Sequence, residues 1–146
     1  QFKEKDFALL HPGGQLGRRL LLRVHDLMRT GSANPIARET ARVKEVLLAI
    51  TKARAGCASI VDARGRLVGI FTDGDLRRHL ESTANLAQQP VRGVMTRNPK
   101  AINSDRLAAE AAALMRDFRI DELVVVDKAH KPVGLLDVQD LLKVGL

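Results

Sequence analysis

Two stretches of the sequence place hydroxyl and carboxylate side chains at the same points after a glycine and an apolar run. Residues 69–76 read GIFTDGDL, and residues 134–141 read GLLDVQDL. In the first stretch, the hydroxyl of Thr72 can donate to a phosphate oxygen. The carboxylate of Asp75 can accept two hydrogen bonds, for example from the two hydroxyls of a ribose. Side chains of these types at this spacing could bind the phosphate and the ribose of a nucleotide.

Both stretches lie where an apolar strand is predicted to end and a helix to begin. The start of a helix has unpaired N–H groups and a partial positive charge, which favour an anion. We therefore include Asp73 and Arg77 in the predicted ligand site, since an arginine can hold a phosphate or carboxylate with two hydrogen bonds. Arg77 and Arg78 are about 100° apart on a helix, so we expect at most one of them to face a ligand. Without any ligand, Thr72 and Asp73 are also explained as a helix cap.

The second stretch differs from the first at one important position. Asp137 stands where the first stretch has Thr72, whereas Asp140 keeps the position of Asp75. A carboxylate beside a phosphate is repulsive unless a cation or a proton intervenes. We therefore expect the two sites to bind different things, and one nucleotide site to be occupied per chain.

The two stretches belong to a longer internal repeat, which indicates a duplication. Four blocks recur in the same order with an offset of about 65 residues: 24–30 with 91–97, Asn34-Pro35 with Asn98-Pro99, 40–50 with 104–114, and 58–76 with 123–141.

Each copy predicts the same elements. An extended segment comes first, and Thr40 or Ser104 is then placed to cap an amphipathic helix. Two apolar runs separated by turn residues predict an antiparallel strand pair, and a short helix closes the copy. A unit of this size is too small to bury much of a core alone. The prediction is an α+β fold of two tandem β-α-β-β-α repeats, packed through their sheets as a pseudo-symmetric pair.

This pattern resembles the tandem CBS domain pair, or Bateman module. The resemblance lies in a methionine near the start of each copy, Met28 and Met95, and in the Gly-x-x-Thr-x-x-Asp order at the strand-to-helix junction. It covers residues 24–146 and implies one repeat at 24–85 and another at 86–146. It also implies a regulatory module that binds adenosine or another nucleotide ligand in the cleft between copies.

The segment before the repeats resembles a second family. Residues 7–28, FALLHPGGQLGRRLLLRVHDLM, are similar to the junction between sugar isomerase (SIS) domains and CBS pairs in D-arabinose 5-phosphate isomerases. Those enzymes interconvert D-ribulose 5-phosphate and D-arabinose 5-phosphate on the route to the lipopolysaccharide sugar Kdo. The resemblance implies that residues 1–23 are the tail and linker of a missing SIS domain. It also implies that His11 is catalytic only together with that domain, so we expect no turnover by this chain alone.

The composition disfavours several other classes of function. The chain has 146 residues, 45% of them apolar and 3% aromatic, and a single cysteine, Cys57. The four histidines show no metal spacing, so no metal site is predicted. No apolar run is long enough to cross a membrane, and one free cysteine suits the cytoplasm. The net charge of +7 suits anionic partners, but nucleic acid is disfavoured because stacking aromatics are absent.

Two functions remain. The first is a regulatory pair that needs no cofactor and senses a nucleotide or nucleotide-sugar effector. CMP-Kdo fits because it carries a ribose diol, a phosphate and a carboxylate; an adenosine nucleotide is the other candidate. The second function is a ligand-free assembly module. In either case we expect a homodimer of CBS pairs within a homotetrameric parent.

Overall fold

The computed structural model describes residues 15–146, which form two β-sheets and six α-helices. No helix in this part of the chain has the length and apolarity needed to cross a membrane. The helices are α1 (Gln15–Leu21), α2 (Val24–Leu27), α3 (Val43–Ala53), α4 (Asp73–Leu80), α5 (Ala108–Phe118) and α6 (Val138–Leu142). The strands are β1 (Ile36–Arg38), β2 (Cys57–Val61), β3 (Leu67–Thr72), β4 (Thr96–Arg97), β5 (Ala101–Asn103), β6 (Glu122–Val126) and β7 (Pro132–Asp137).

The predicted β-α-β-β-α order is present in both repeats. β1 pairs with β2 in parallel, and β2 pairs with β3 antiparallel; β5, β6 and β7 repeat this arrangement. The two tight turns are also built alike. Asp62 Oδ1 accepts from the backbone N–H of Arg64 and Arg66, and Asp127 Oδ1 accepts from the N–H groups two and four residues after it. The α+β prediction is therefore confirmed.

The two long helices begin later than the sequence predicts. We expected Thr40 to cap the first, but α3 begins at Val43, after the extended residue Arg42. Arg42 forms an antiparallel β-bridge with Pro90 from the start of the second repeat. The backbone of this segment is therefore paired with the other repeat and does not enter the helix. In the same way, Ser104 does not cap α5, which begins at Ala108 after Leu107 bridges Arg23.

The opening segment of each repeat completes the sheet of the other. β4, at the start of the second repeat, pairs with β3 and becomes the fourth strand of the first sheet. At the matching place in the other sheet, Arg29 bridges Leu135 of β7. The repeats are thus interlocked through their backbones.

A methionine and a glycine pack together at each of these crossings. The side chain of Met95 lies against Gly69, so closely that a Cβ at Gly69 would overlap its sulfur. Met28 lies against Gly134 in the same way. The close approach at Gly69 is therefore made by a side chain of the second repeat. The two glycines are needed for space, since any larger residue would push a methionine out.

The core consists of three apolar layers. One lies under α3 and one under α5, and each contains residues from the opening segment of the other repeat. The third layer lies between the two sheets, which confirms that the repeats pack through their sheets. It is built from Cys57, Leu67, Ile70, Val124, Val126 and Leu135.

Candidate functional site

A cleft of about 650 Å³ opens between the two repeats at the first strand-to-helix junction. We call it cleft 1. The first repeat contributes the start of α4 and the residue before β2. The second contributes the segment after β4 and the loop from α5 into β6. The lining residues are Gly56, Ile70, Thr72, Asp73, Gly74, Arg77, Arg78, Thr96, Asn98, Pro99, Lys100, Arg119, Ile120, Asp121 and Glu122.

The sequence GIFTDGDL folds into a capping box at the start of α4. Asp75 donates its backbone N–H to Thr72 Oγ1 (3.3 Å), and Thr72 donates its own N–H to Asp75 Oδ2 (2.9 Å). These two bonds satisfy N–H groups that the helix leaves free. The cap is therefore made by Thr72 with Asp75, while Asp73 lies exposed in the first turn and lines the cleft.

Asp75 is the most deeply placed of the predicted ligand-binding residues. Its side chain is only 1% exposed. Its Oδ1 accepts from the hydroxyl of Thr96 at 2.7 Å and from the guanidinium of Arg78. A ribose diol that is to reach this carboxylate must first displace one of these donors. The ligand role of Asp75 thus stays a prediction, and its role here is to join α4 to the opening segment of the second repeat.

Arg77 and Arg78 both line cleft 1. The expectation that at most one of them would face it is wrong. Arg78 folds back over the first turn of its own helix, where Gly74 has no side chain, and its Nη1 passes 3.7 Å from the place a Cβ would occupy. A long, flexible side chain thus reaches a face that its Cα does not point towards.

The cleft carries charges of both signs, and most are exposed: Asp73 and Asp121 are exposed like the cations, whereas Glu122 is half-buried. Four cationic side chains are exposed at its rim: Arg77, Arg78, Lys100 and Arg119. The buried Ile70 and the half-buried Ile120 form an apolar wall below them. This order suits a ligand with an anionic end near solvent and a flat apolar part further in.

Glu122 is a half-buried carboxylate in the wall of cleft 1. Its Oε1 lies against the Cα of Gly56 from the other repeat, and a Cβ at Gly56 would overlap it. Burial raises the pKa of Glu122, and the nearby charges of Asp137, Asp121 and Asp73 raise it further. No cation or hydrogen-bond donor of the described chain offsets this.

The second strand-to-helix junction is closed by an ion pair. Asp137 caps α6 by accepting from the N–H of Gln139 at 2.8 Å, and it donates its own N–H to Asp140 at 3.0 Å. Arg29 then donates to both oxygens of Asp140, at 3.0 and 3.2 Å. The hydrogen bond to Asp140 and the charges of Asp140 and Asp137 raise the pKa of Arg29. Asp140, a predicted ligand residue, therefore already holds a cation from its own chain.

The positions of Arg29 and Thr96 correspond in the repeat, as do those of Asp140 and Asp75. Each opening segment thus sends one side chain to the junction aspartate of the other repeat: a hydroxyl to Asp75 and a guanidinium to Asp140.

Comparison with known proteins agrees with this geometry. The CBS domain family model matches residues 24–82 and 91–146. The chain belongs to the CBS domain family. Its two matched segments are the two interlocked repeats, so it is a CBS pair.

Curated relatives of this CBS pair are arabinose 5-phosphate isomerases. It is 43% identical to the arabinose 5-phosphate isomerase KdsD of Pseudomonas aeruginosa over 145 residues, or 99% of this chain and 44% of the relative. It is 41% identical to KdsD of Escherichia coli K12 over the same shares. The chain spans less than half the length of these relatives.

Solved structures with the same fold are CBS pairs. The CBS domain pair of protein MJ0100, in complex with 5'-methylthioadenosine and S-adenosyl-L-methionine, has a TM-score of 0.73 and 25% identity, covering 83% of this chain and 93% of that one. The CBS domain of a membrane protein from Sphaerobacter thermophilus has a TM-score of 0.76 and 22% identity, covering 94% and 96%.

Several side chains of cleft 1 are not found by reading the junction alone. Thr96, Lys100, Arg119 and Glu122 come from the second repeat and lie far from Thr72 in the sequence. For Thr96 the sequence offers one signal: the match of 24–30 with 91–97 makes it the counterpart of Arg29 in the repeat. His11 lies outside the described residues, so its catalytic role stays a prediction. The domain boundaries at 23 and 85 also stay predictions.

Proposed function

We propose that this CBS pair is the regulatory module of a D-arabinose 5-phosphate isomerase and that cleft 1 binds a nucleotide-type effector. The relationship to the KdsD enzymes supports the first part. The parent would interconvert D-ribulose 5-phosphate and D-arabinose 5-phosphate, with His11 acting inside its isomerase domain. The CBS pair alone would bind the effector without turning over sugar.

The observation that carries the proposal is the construction of cleft 1. It has the volume of a small-molecule site, and both repeats contribute to it. Thr72, Asp73 and the start of α4 face it from one side, and Lys100 and Arg119 face it from the other. A phosphate here gains the partial positive charge of the helix start and the exposed cations.

CMP-Kdo is our candidate effector, since it is an activated form of the sugar to which the isomerase reaction leads. Its phosphate and carboxylate suit the cationic rim, and its ribose diol suits Asp75 once Thr96 or Arg78 has moved away. An adenosine nucleotide is the alternative. It is supported by MJ0100, the CBS pair whose structure holds 5'-methylthioadenosine and S-adenosyl-L-methionine.

Isothermal titration calorimetry of this chain with CMP-Kdo, CMP, AMP and ATP tests the proposal. We expect one of them to bind, and at a hundred times its Kd it adds about 2.7 kcal/mol to the free energy of unfolding. Arg77→Ala weakens binding, whereas Lys128→Ala, an equal charge change in the β6–β7 turn, leaves it unaltered. Absence of binding and of thermal stabilisation by all four compounds would remove the sensor function.

Regulation is tested in the parent isomerase. We expect the effector that binds this chain to change the rate of D-arabinose 5-phosphate formation, and Arg77→Ala to weaken that response. A rate that stays constant at saturating effector contradicts a regulatory role.

A second function, assembly, is favoured by apolar side chains that the helices leave exposed. Leu142 of α6 is 58% exposed beside a groove of about 360 Å³ between α5 and α6, and Phe118 is 50% exposed. In the first repeat Leu48 and Leu80 are 61% and 60% exposed at the helix layer. We propose that these faces bind a second copy of the chain. Leu142→Glu should then lower the mass measured by light scattering, and an unchanged mass contradicts this face.

A further inference from the structure

The carboxylate of Asp75 lies directly behind the wall of cleft 1. Its side chain is 1% exposed. Four residues around it line the cleft: Thr72, Gly74, Arg78 and Thr96. Thr72 donates to Oδ2 with its backbone N–H and its hydroxyl, and Thr96 and Arg78 both donate to Oδ1. A ligand hydroxyl in the cleft therefore reaches this carboxylate only where one of these donors has left.

Arg78 is the donor that can leave at the least cost. Thr72 is the cap residue of α4, and Thr96 belongs to β4, which pairs with β3. The backbone thus holds both threonines in place. Arg78 reaches Asp75 with a long side chain that is 64% exposed. When its guanidinium turns back to solvent, no backbone hydrogen bond is broken, and an ion pair with one exposed partner is weak.

Gly74 provides the space that Arg78 fills. A Cβ at Gly74 would lie 3.7 Å from Nη1 of Arg78 and 3.5 Å from the hydroxyl oxygen of Thr72. Once the arginine has turned away, the first turn of α4 has no side chain at this point. In the second repeat Gln139 stands at the position of Gly74, and Lys143 stands at that of Arg78. The combination of an uncovered first turn and a covering arginine is therefore particular to cleft 1.

We infer that Arg78 competes with the ribose of the effector for the carboxylate of Asp75 and so limits how tightly the diol binds. This inference rests on the proposed function and adds to it the residue that opposes binding of the sugar. In the free protein Arg78 donates to Oδ1, and in the complex the ribose hydroxyls donate in its place. Binding of the diol is weakened in proportion to the fraction of molecules in which Arg78 occupies Asp75.

Nucleotides with and without the diol test the inference. Calorimetry of this chain gives the affinities of CMP-Kdo, CMP, AMP and ATP and of their 2',3'-dideoxy forms, and the ratio of each pair of affinities is compared. Arg78→Ala should raise this ratio about two- to threefold, because the competing donor is gone. The lost charge affects both forms alike and cancels in the ratio. Arg77→Ala, an equal charge change on the next residue of α4, should weaken both forms to the same extent.

The outcomes separate this inference from the proposed function. If nucleotides bind but the ratio in Arg78→Ala stays at its wild-type value or falls, Arg78 does not compete with the ribose, and the sensor function stands. An equal rise of the ratio in Arg77→Ala also overturns the inference, because the effect is then not particular to the donor on Asp75. If none of the nucleotides binds, both proposals are wrong. Thermal melts confirm that each variant is folded.

Discussion

The two strand-to-helix junctions share a backbone design and differ in which side chains hold the aspartate near the helix start, Asp75 or Asp140. In both, the last strand residue caps the helix, and the aspartate three residues later accepts the N–H of that cap. At the first junction, Asp75 is held by Thr96 and by Arg78 of its own helix. At the second, Asp140 is held by Arg29 from the other repeat.

These differences determine which junction is open to a ligand. The Arg78 side chain is 64% exposed and belongs to the same helix as Asp75, so it can leave without disturbing the contact between repeats. The Arg29 side chain is 26% exposed, makes two hydrogen bonds, and lies on the segment that bridges β7. The duplication thus preserved the backbone, and a few side chains made one junction a cleft and the other an internal ion pair.

The largest expected effect on the free energy of unfolding is at the two methionine–glycine contacts, where the repeats are most alike. Gly69→Ala puts a methyl group into the place of the Met95 side chain, and we expect a loss of about 2 kcal/mol in the free energy of unfolding. Gly134→Ala should cost a similar amount against Met28. Gly93 has nothing within 4 Å of a Cβ, so Gly93→Ala is the control and should stay within about 0.5 kcal/mol of wild type. Urea unfolding measures all three, and a cost at only one of the two packed glycines contradicts equivalent crossings.

The next largest effect on stability distinguishes Arg29 from Arg78. Arg29→Ala leaves Asp140 without its cation beside Asp137, and we expect a loss of about 1.5 kcal/mol. Arg78→Ala removes an exposed partner within one helix, and we expect less than about 0.5 kcal/mol. The same urea experiment compares them. Equal costs would mean that Arg29 is no more important to the fold than a surface ion pair.

The repeat itself was readable from the sequence because its four blocks keep their order and each contains a complete local signal. The turn at Asp62 and the cap at Thr72 depend on neighbours within four residues, so their types predict them. The late starts of α3 and α5 were not readable. They depend on bridges between residues such as Arg42 and Pro90, which are 48 positions apart.

The candidate site, too, was predicted from the sequence only in part. Thr72, Asp73 and Arg77, chosen for their position at a helix start, line cleft 1, and their binding of a ligand stays a prediction. The donors that occupy Asp75 and Asp140 were missed, because a periodic pattern does not say which segment of the other repeat lies opposite a junction. The amino acid types alone also gave no reason to choose Glu122 among the acidic residues.

A smaller effect is expected when the second junction is made to resemble the first. Arg29→Thr combined with Asp137→Thr removes the internal ion pair and the charge that repels phosphate. We expect wild type to bind one nucleotide per chain and the double variant to bind a second at least about tenfold more weakly. It should be weak because Ile36 and Leu142 stand where the first junction has Lys100 and Arg77. Calorimetric stoichiometry measures this, and a value that stays at one contradicts the idea that the ion pair closes the site.

The smallest effect concerns the free protein and depends on pH. The pKa of Glu122 is raised above its ordinary value of 4.5, so the folded state disfavours the ionised form. Below the ordinary pKa both the folded and unfolded chains carry a neutral Glu122, and Glu122→Gln should have the Tm of wild type. As the pH rises through the raised pKa, wild type must ionise a half-buried group or keep its proton at a cost, so the variant should become the more stable protein.

Asp62 should show the opposite dependence of stability on pH. Backbone hydrogen bonds lower its pKa, and the one from Arg66 makes the largest contribution. Asp62→Asn should therefore be the less stable protein at neutral pH, with a difference that shrinks as the pH falls. Melting curves from pH 4 to pH 8 measure both, and a Tm difference for Glu122→Gln that does not grow with pH means that this carboxyl group is already satisfied by solvent.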